Sequence, residues 1–327
     1  MNQYCSRREF LQMASAATAG GALGASCSLP AMALEGPPRK AVPGPLCVFS
    51  KSFPQLGWTE LAKAAKGAGF DGIDLTVRSD GHVLPERAAV DLPKAIAAIR
   101  AEGMVVPMLT TELVDLQSTG ARPILEIAGK LSVPYIKPGY YPYKSANPFD
   151  DVREAGRRFR GLVDLAKENG VQIGYHNHPD WVGGSIWDAA NVIEPLDAHW
   201  SGYYFDLGHS SVNEGEDEWR IAANLVMPRL KMVAVKDMTW TAGGERRWQP
   251  VSCPMGTGMA PWKEFFALLA KSSFNGPISF GQAYAIPGVA DEEGIAVSRA
   301  AAPKVMAAAG SNLEYLKARL REAYGHA

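Results

Sequence analysis

Eight short apolar runs, each followed by a stretch of helical periodicity, fill the chain from residue 46 to residue 324. This alternation restricts the fold more than any other feature, because a strand that leads into a helix must cross over to a parallel neighbour. Strands are predicted at 46–51, 72–77, 105–110, 133–138, 171–177, 201–207, 231–236 and 277–282. Helices are predicted at 58–68, 91–102, 121–131, 150–169, 185–196, 218–228, 261–272 and 297–324. Glycine closes several of them, as in K-G-A-G-F, A-E-G-M and K-E-N-G-V, where it supplies the left-handed residue of a C-terminal turn. Pro93, near the start of the second helix, suits a first turn. Eight units of about 35 residues imply a closed (β/α)8 TIM barrel in one α/β domain. A doubly wound open sheet would not need eight units, and no G-x-G-x-x-G follows the first strand.

The segment ahead of the first strand reads as an address. Ser6, Arg7, Arg8, Phe10 and Leu11 fit the twin-arginine export pattern, and Ala31-Met32-Ala33 ends a small-residue run in an A-x-A cleavage site. Residues 1–33 are therefore expected to be a signal peptide, 34–45 a Pro/Gly linker and 46–327 the barrel, in a periplasmic protein. Gly, Ser and Thr interrupt the run too often for a membrane span. Cys27 follows G-A-S, but Leu23 lies one place too far upstream for a good lipoprotein box. Cys47 and Cys253 would remain after cleavage, either paired or as free thiols. With 47% apolar residues and 33 Lys+Arg against 34 Asp+Glu, the chain is not of the disordered class. It also offers no global field for nucleic acid or an anionic membrane.

A barrel places its chemistry at the carboxyl ends of its strands. The polar residues there are, in strand order, Lys51; Arg78, Asp80, His82 and Glu86; Thr110, Thr111 and Glu112; Lys137, Tyr140 and Tyr141. Next come His176, Asn177, His178 and Asp180; Asp206 and His209; Lys236 and Asp237; Gln282 and Tyr284. Strand alternation turns His176 and His178 the same way in Y-H-N-H. With Asp206 from the next strand they suit a divalent metal such as Mn, Mg, Co or Zn. Otherwise His178 caps a loop and Asp206 pairs with Lys236. Lys137 and Lys236 are candidates for a Schiff base, a general base or a hold on a sugar oxygen. Their alternative is pairing with Asp180 or Asp237. Tyr140, Tyr141, Tyr143, Trp181, Trp187, Trp240 and Trp248 suit either stacking on a sugar or loop packing.

The segments F-S-K-S, F-D-G-I-D-L-T-V-R-S-D-G-H-V-L-P-E, Y-H-N-H, F-D-L-G-H, V-K-D-M and P-M-G-T-G-M-A-P-W-K-E-F-F resemble the xylose isomerase-like barrel family, the sugar phosphate isomerase/epimerase group. The resemblance runs from about Leu46 to Tyr284. It implies a metal held by Glu, Asp, His and Glu, with the two glutamates moving a proton through an enediolate. Matched residue by residue, the first Glu position falls near His176 and the Asp is Asp206. His209 matches a residue that contacts substrate oxygen. The His ligand position is Ala234, the last Glu position falls among Gly281, Gln282 and Ala283, and Thr257 stands where the family commonly has Glu.

The expected activity is isomerase-, epimerase- or lyase-like, by proton abstraction beside the carbonyl of a small carbohydrate. His176, Lys137 and Lys236 are the expected catalytic residues. His178, His209, Arg78, His82, Glu112 and Tyr284 are expected to bind substrate, and His176, His178 and Asp206 to hold a metal if one is retained. A carbohydrate-binding barrel without turnover is the second reading. A phosphodiesterase of the endonuclease IV type is the third, and six histidines are few for its metal cluster. No nucleic-acid partner is expected, and self-association is left open.

Overall fold

The computed structural model describes residues 43–243 and 248–325, except the side chain of Glu216. The twin-arginine segment, Cys27 and the linker up to residue 42 lie outside the described residues. Among the described residues there are ten strands: β1 (Leu46–Phe49), β2 (Gly72–Val77), β3 (Val105–Thr111), β4 (Tyr135–Lys137), β5 (Gln172–His176), β6 (Ser201–Asp206), β7 (Leu230–Val235), β8 (Asp237–Thr241), β9 (Gln249–Cys253) and β10 (Ile278–Phe280). Strands β1 to β7 and β10 close in that order into a parallel barrel, with β10 pairing β1. A TIM barrel covers each strand on both faces, which is why β2 and β6 are buried at every position.

The elements differ from the sequence reading where proline, a cap or a hairpin intervenes. Strand β4 is three residues long, because Pro134 and Pro138 flank it and neither can donate to a ladder. Pro107 sits where the β2–β3 register shifts, a place that needs no donor from it. The second helix starts earlier than expected, at Ala88–Ala101, so Pro93 falls in its second turn rather than its first. The expected helix at 218–228 is preceded by another, Leu207–Asn213, which Asp206 caps by accepting the His209 N–H at 3.0 Å. His209 is thus in the first turn of a helix. The last helix is Ala302–Tyr324, shorter than 297–324. The chain ahead of it forms a loop whose Ala296 N–H donates to the Ser52 carbonyl at 3.0 Å, tying it to the rim of β1. Strands β8 and β9 form an antiparallel hairpin directly after Lys236 that the sequence did not announce.

Cys47 and Cys253 are both free thiols, so the paired alternative does not hold. No helix among the described residues is long and apolar enough to cross a membrane. Inside the barrel, Met108, Tyr204, Met232 and Ala234 form a small cluster separate from the main core. Gly174 makes room for it: a Cβ there would lie 2.3 Å from Met232 Cε. This plug is the foundation of the site above.

Candidate active site at the barrel mouth

Successive inward positions lie two residues apart on a strand, so the plug and the site are consecutive rungs. Tyr204 precedes Asp206 on β6, and Met232 and Ala234 precede Lys236 after β7. Beneath the mouth is Asp74 of β2, fully buried, a residue the sequence reading passed over. It accepts hydrogen bonds from Thr110 Oγ1 (2.7 Å), Ser279 Oγ (2.8 Å) and Tyr204 OH (3.4 Å). Burial pushes its carboxyl up to about 6, against the pull of those hydroxyls and of Lys137.

Asp206 is the centre of the upper rung and is fully buried. Its Oδ2 lies 3.3 Å from His176 Nε2, 3.4 Å from His209 Nδ1 and 3.2 Å from Lys236 Nζ. Its backbone is locked to Asn177: Asp206 N–H donates to Asn177 Oδ1 (2.7 Å), and Asn177 Nδ2 donates to the Asp206 carbonyl (3.0 Å). Burial pushes the Asp206 carboxyl up, but His209, Lys236 and the His176 hydrogen bond more than reverse this and hold it well below the usual carboxylate range. Burial lowers His176, His178 and His209 to about 3, and nearby Lys236 adds to it in each case. At neutral pH the imidazoles are therefore uncharged, and Lys236 is the one full positive charge touching Asp206. An ionised Asp206 requires a proton on His176 Nε2. His176 Nδ1 is then the acceptor of the Tyr140 hydroxyl, 3.0 Å away.

Lys137, at the end of β4, is 3% exposed. Its Nζ stands 3.4 Å from the centroid of the Tyr140 ring and has no hydrogen-bond or ion-pair partner among the described residues. Burial, then the positive charges of Arg78 and Lys236, hold its amine well below the usual lysine range, with Asp74 opposing. Neither lysine pairs with Asp180 or Asp237.

Two hollows meet at Lys137 and Tyr140. The inner well is lined by Phe49, Thr110, Lys137, Tyr140, His176, Tyr204, Asp206, Ala234, Val235, Lys236, Ser279 and Gly281. Its volume is about 60 Å³, room for roughly four waters or one reacting group. The outer cleft, about 550 Å³, suits a small molecule and is lined by Lys51, Arg78, Glu112, Tyr140, Trp181 and Glu293 among others. Tyr140 and Trp181 stack there with ring centroids 5.6 Å apart. Lys51 pairs with Glu293 of the C-terminal loop across one side.

The other expected site residues are spread more widely. Arg78 lines the outer cleft, and its buried Nε has no protein partner among the described residues. Glu112 also lines it, but accepts from Ser79 N (3.0 Å) and Ser79 Oγ (2.8 Å), which fixes the loop after β2. His178 packs against Tyr140 and His209, with its Nδ1 on the Pro179 carbonyl at 2.9 Å, and it lines neither hollow. His209 lies behind Asp206, its Nδ1 donating to the Asn177 carbonyl at 2.7 Å. His82 is held under its loop, Nδ1 3.3 Å from Thr76 Oγ1. Tyr284 turns away to the last helix and accepts from Asn312 Nδ2. Asp237 has a structural role. Its carboxylate gathers the N–H groups of Met238, Gly256, Gly258 and Ala260 and so shapes the P-M-G-T-G turn.

His176, Asp206 and His209 bring one candidate donor atom each within 4.8 Å, so His209 and not His178 completes the close set. As arranged, these residues do not fit a divalent ion. His209 Nδ1, the nitrogen 3.4 Å from Asp206, spends its proton on the Asn177 carbonyl and so offers no lone pair there; the ring's lone pair is on Nε2. His176 Nε2 carries a proton toward the same carboxylate, and Lys236 Nζ already stands on it. The methyl of Ala234, register partner of Asp206, offers nothing to a metal.

Residues 62–301 match the family model for xylose isomerase-like TIM barrels. No curated protein matches the chain by sequence. Among solved structures, a xylose isomerase-like TIM barrel protein from Mycobacterium smegmatis in complex with magnesium superposes with TM-score 0.65 at 16% identity, covering 86% of this chain and 98% of that one. A D-allulose 3-epimerase from Methylomonas sp. in complex with D-allulose gives TM-score 0.61 at 15% identity, covering 86% and 99%. The 3-keto-D-glucoside 4-epimerase of E. coli gives 0.59 at 15%, covering 84% and 98%. At these identities the likeness is one of fold.

Proposed function

Because the chain belongs to the xylose isomerase-like TIM barrel family, we propose that it acts on a small carbohydrate, removing a proton from the carbon beside its carbonyl. The observation that carries this reading is the buried, unpartnered amine of Lys137, facing the ammonium of Lys236 across a well that holds one reacting group. Lys137, its amine held below the usual lysine range by burial, is the base that takes the carbon-bound proton. Lys236 holds the carbonyl oxygen and stabilises the enolate as charge develops on it. His176, braced by Asp206, fixes the Tyr140 hydroxyl at the neck. The sugar body lies in the outer cleft against Tyr140 and Trp181, within reach of Arg78. One free base faces the well, so a proton lifted by Lys137 returns from the same side. This favours isomerisation, or loss of a neighbouring group, over two-base epimerisation. The twin-arginine reading of residues 1–33 supports a periplasmic place of work.

The test is solvent exchange. Keto- and aldo-sugars incubated with the protein in D2O are followed by NMR for loss of the proton beside the carbonyl. Exchange that Lys137→Ala abolishes supports the reading. Sugar binding without exchange would leave a carbohydrate-binding barrel that does not turn its ligand over.

A further inference from the structure

We propose that the ε-ammonium of Lys236 is the resident cation of this site and keeps divalent metals off Asp206. The ammonium sits 3.2 Å from Asp206 Oδ2, with His176 Nε2 and His209 Nδ1 closing round the same oxygen. A metal bound there would have to displace it or lie in contact with it, at a steep Coulomb cost in a buried well. Nothing in the lining offsets that cost. Among the residues around the inner well, Asp206 is the one carboxylate, and the other well-facing groups are hydroxyls, imidazole, lysines and hydrocarbon. Hard divalent ions such as Mg²⁺ and Mn²⁺ draw on oxygen-rich sets. Here a single carboxylate balances a single ammonium.

The geometry also explains why the lysine stays. Lys236 leaves β7 between Val235 and the hairpin β8–β9, whose first residue, Asp237, is pinned by four backbone N–H groups. With its neighbour fixed and its side chain 18% exposed, the lysine is aimed into the well rather than at solvent.

The inference does not rest on the proposed carbohydrate activity, and its readout is metal binding. The full chain is folded in the cytoplasm and titrated with Mn²⁺ by electron paramagnetic resonance, then with Zn²⁺ by equilibrium dialysis and elemental analysis. Wild type is expected to hold no stoichiometric ion. Lys236→Gln and Lys236→Met free Asp206, and either is expected to gain about one ion per chain, together with a higher Tm in Mn²⁺. Adding Asp206→Asn to either variant removes that ion again. A stoichiometric ion in wild type that Asp206→Asn abolishes would overturn the proposal. So would folded lysine variants that gain no ion, since Lys236 would then not be what excludes it. Should neither variant fold, the wild-type titration decides alone: binding at Asp206 overturns the proposal and absence of binding supports it.

Discussion

Asp74→Asn tests the electrostatics beneath the site. Asp74 is fully buried, and its carboxyl is pushed up to about 6 from 3.8. A raised carboxyl binds its proton more tightly in the folded chain than in the unfolded one. Between about pH 4 and pH 6 the folded state therefore holds the extra proton, and stability falls as pH rises through that window. Two units at about 1.4 kcal/mol each make the loss about 3 kcal/mol. The three site histidines act the other way. Lowered to about 3, they contribute stability as pH climbs from there toward 6.5, and it is lost as pH falls back. A wild-type profile mixes the two, so the informative quantity is the difference between wild type and Asp74→Asn at each pH. The amide is nearly isosteric and never ionises. Urea unfolding followed by tryptophan fluorescence, from pH 4 to pH 7.5, should show the variant gaining on wild type by about 3 kcal/mol across the window and levelling off above it. A difference that stays flat with pH would refute the argument, because it would mean that Asp74 ionises in the folded chain as easily as in the unfolded one.

Other consequences are quicker to check. Asp237→Ala leaves the N–H groups of Met238, Gly256, Gly258 and Ala260 without their acceptor and should cost about 3 kcal/mol in urea unfolding. Gly258→Ala should disturb the same turn, since a Cβ there would lie 2.2 Å from Asp237 Oδ1. In the chain cut after Ala33, Cys253 should react with a thiol reagent in the native state and Cys47 only on unfolding, since Cys47 is buried and burial pushes its thiol up. Replacing Arg7 and Arg8 with lysine should leave the protein in the cytoplasm on fractionation, uncut at Ala33.

The barrel was legible because a repeated strand–helix unit has few ways to close, and the inward layer was legible because strand alternation is geometric. Their places at the carboxyl ends of adjacent strands put Asp206 and Lys236 at one mouth, where they pair. What sequence could not give lies beyond the strand ends. Past His176 the chain turns at Pro179, so the parity that paired His178 with His176 stops short of the metal set, and His178 finds the Pro179 carbonyl instead. His209 entered the set because Asp206 caps a helix that starts at Leu207, a cap hidden inside what read as the end of a strand. Asp74 escaped notice for the opposite reason. It sits in mid-strand within G-I-D-L-T-V, and attention to rims passes over it. An aspartate in a run otherwise buried on both faces was the available signal.

The absence of ligand-type residues at 234 and 281–283 and the presence of a base at 137 follow from one charge balance. Each missing carboxylate or imidazole takes away a donor that a divalent ion needs, and the carboxylates also take away negative charge. With Asp206 alone on the upper rung, the well neutralises one unit of positive charge, and Lys236 already supplies it in direct contact. A second ammonium at Lys137 would stand beside Arg78 and Lys236, so burial and those two charges push its amine well below the usual lysine range. Asp74 below opposes this but does not reverse it, and its carboxyl already accepts from three hydroxyls. The same charge balance that keeps Lys236 on Asp206 therefore leaves the Lys137 amine without a partner at the neck between well and cleft. Placing a carboxylate at position 234 should undo both together, by drawing Lys236 away from Asp206 and raising the amine of Lys137 toward its ordinary range.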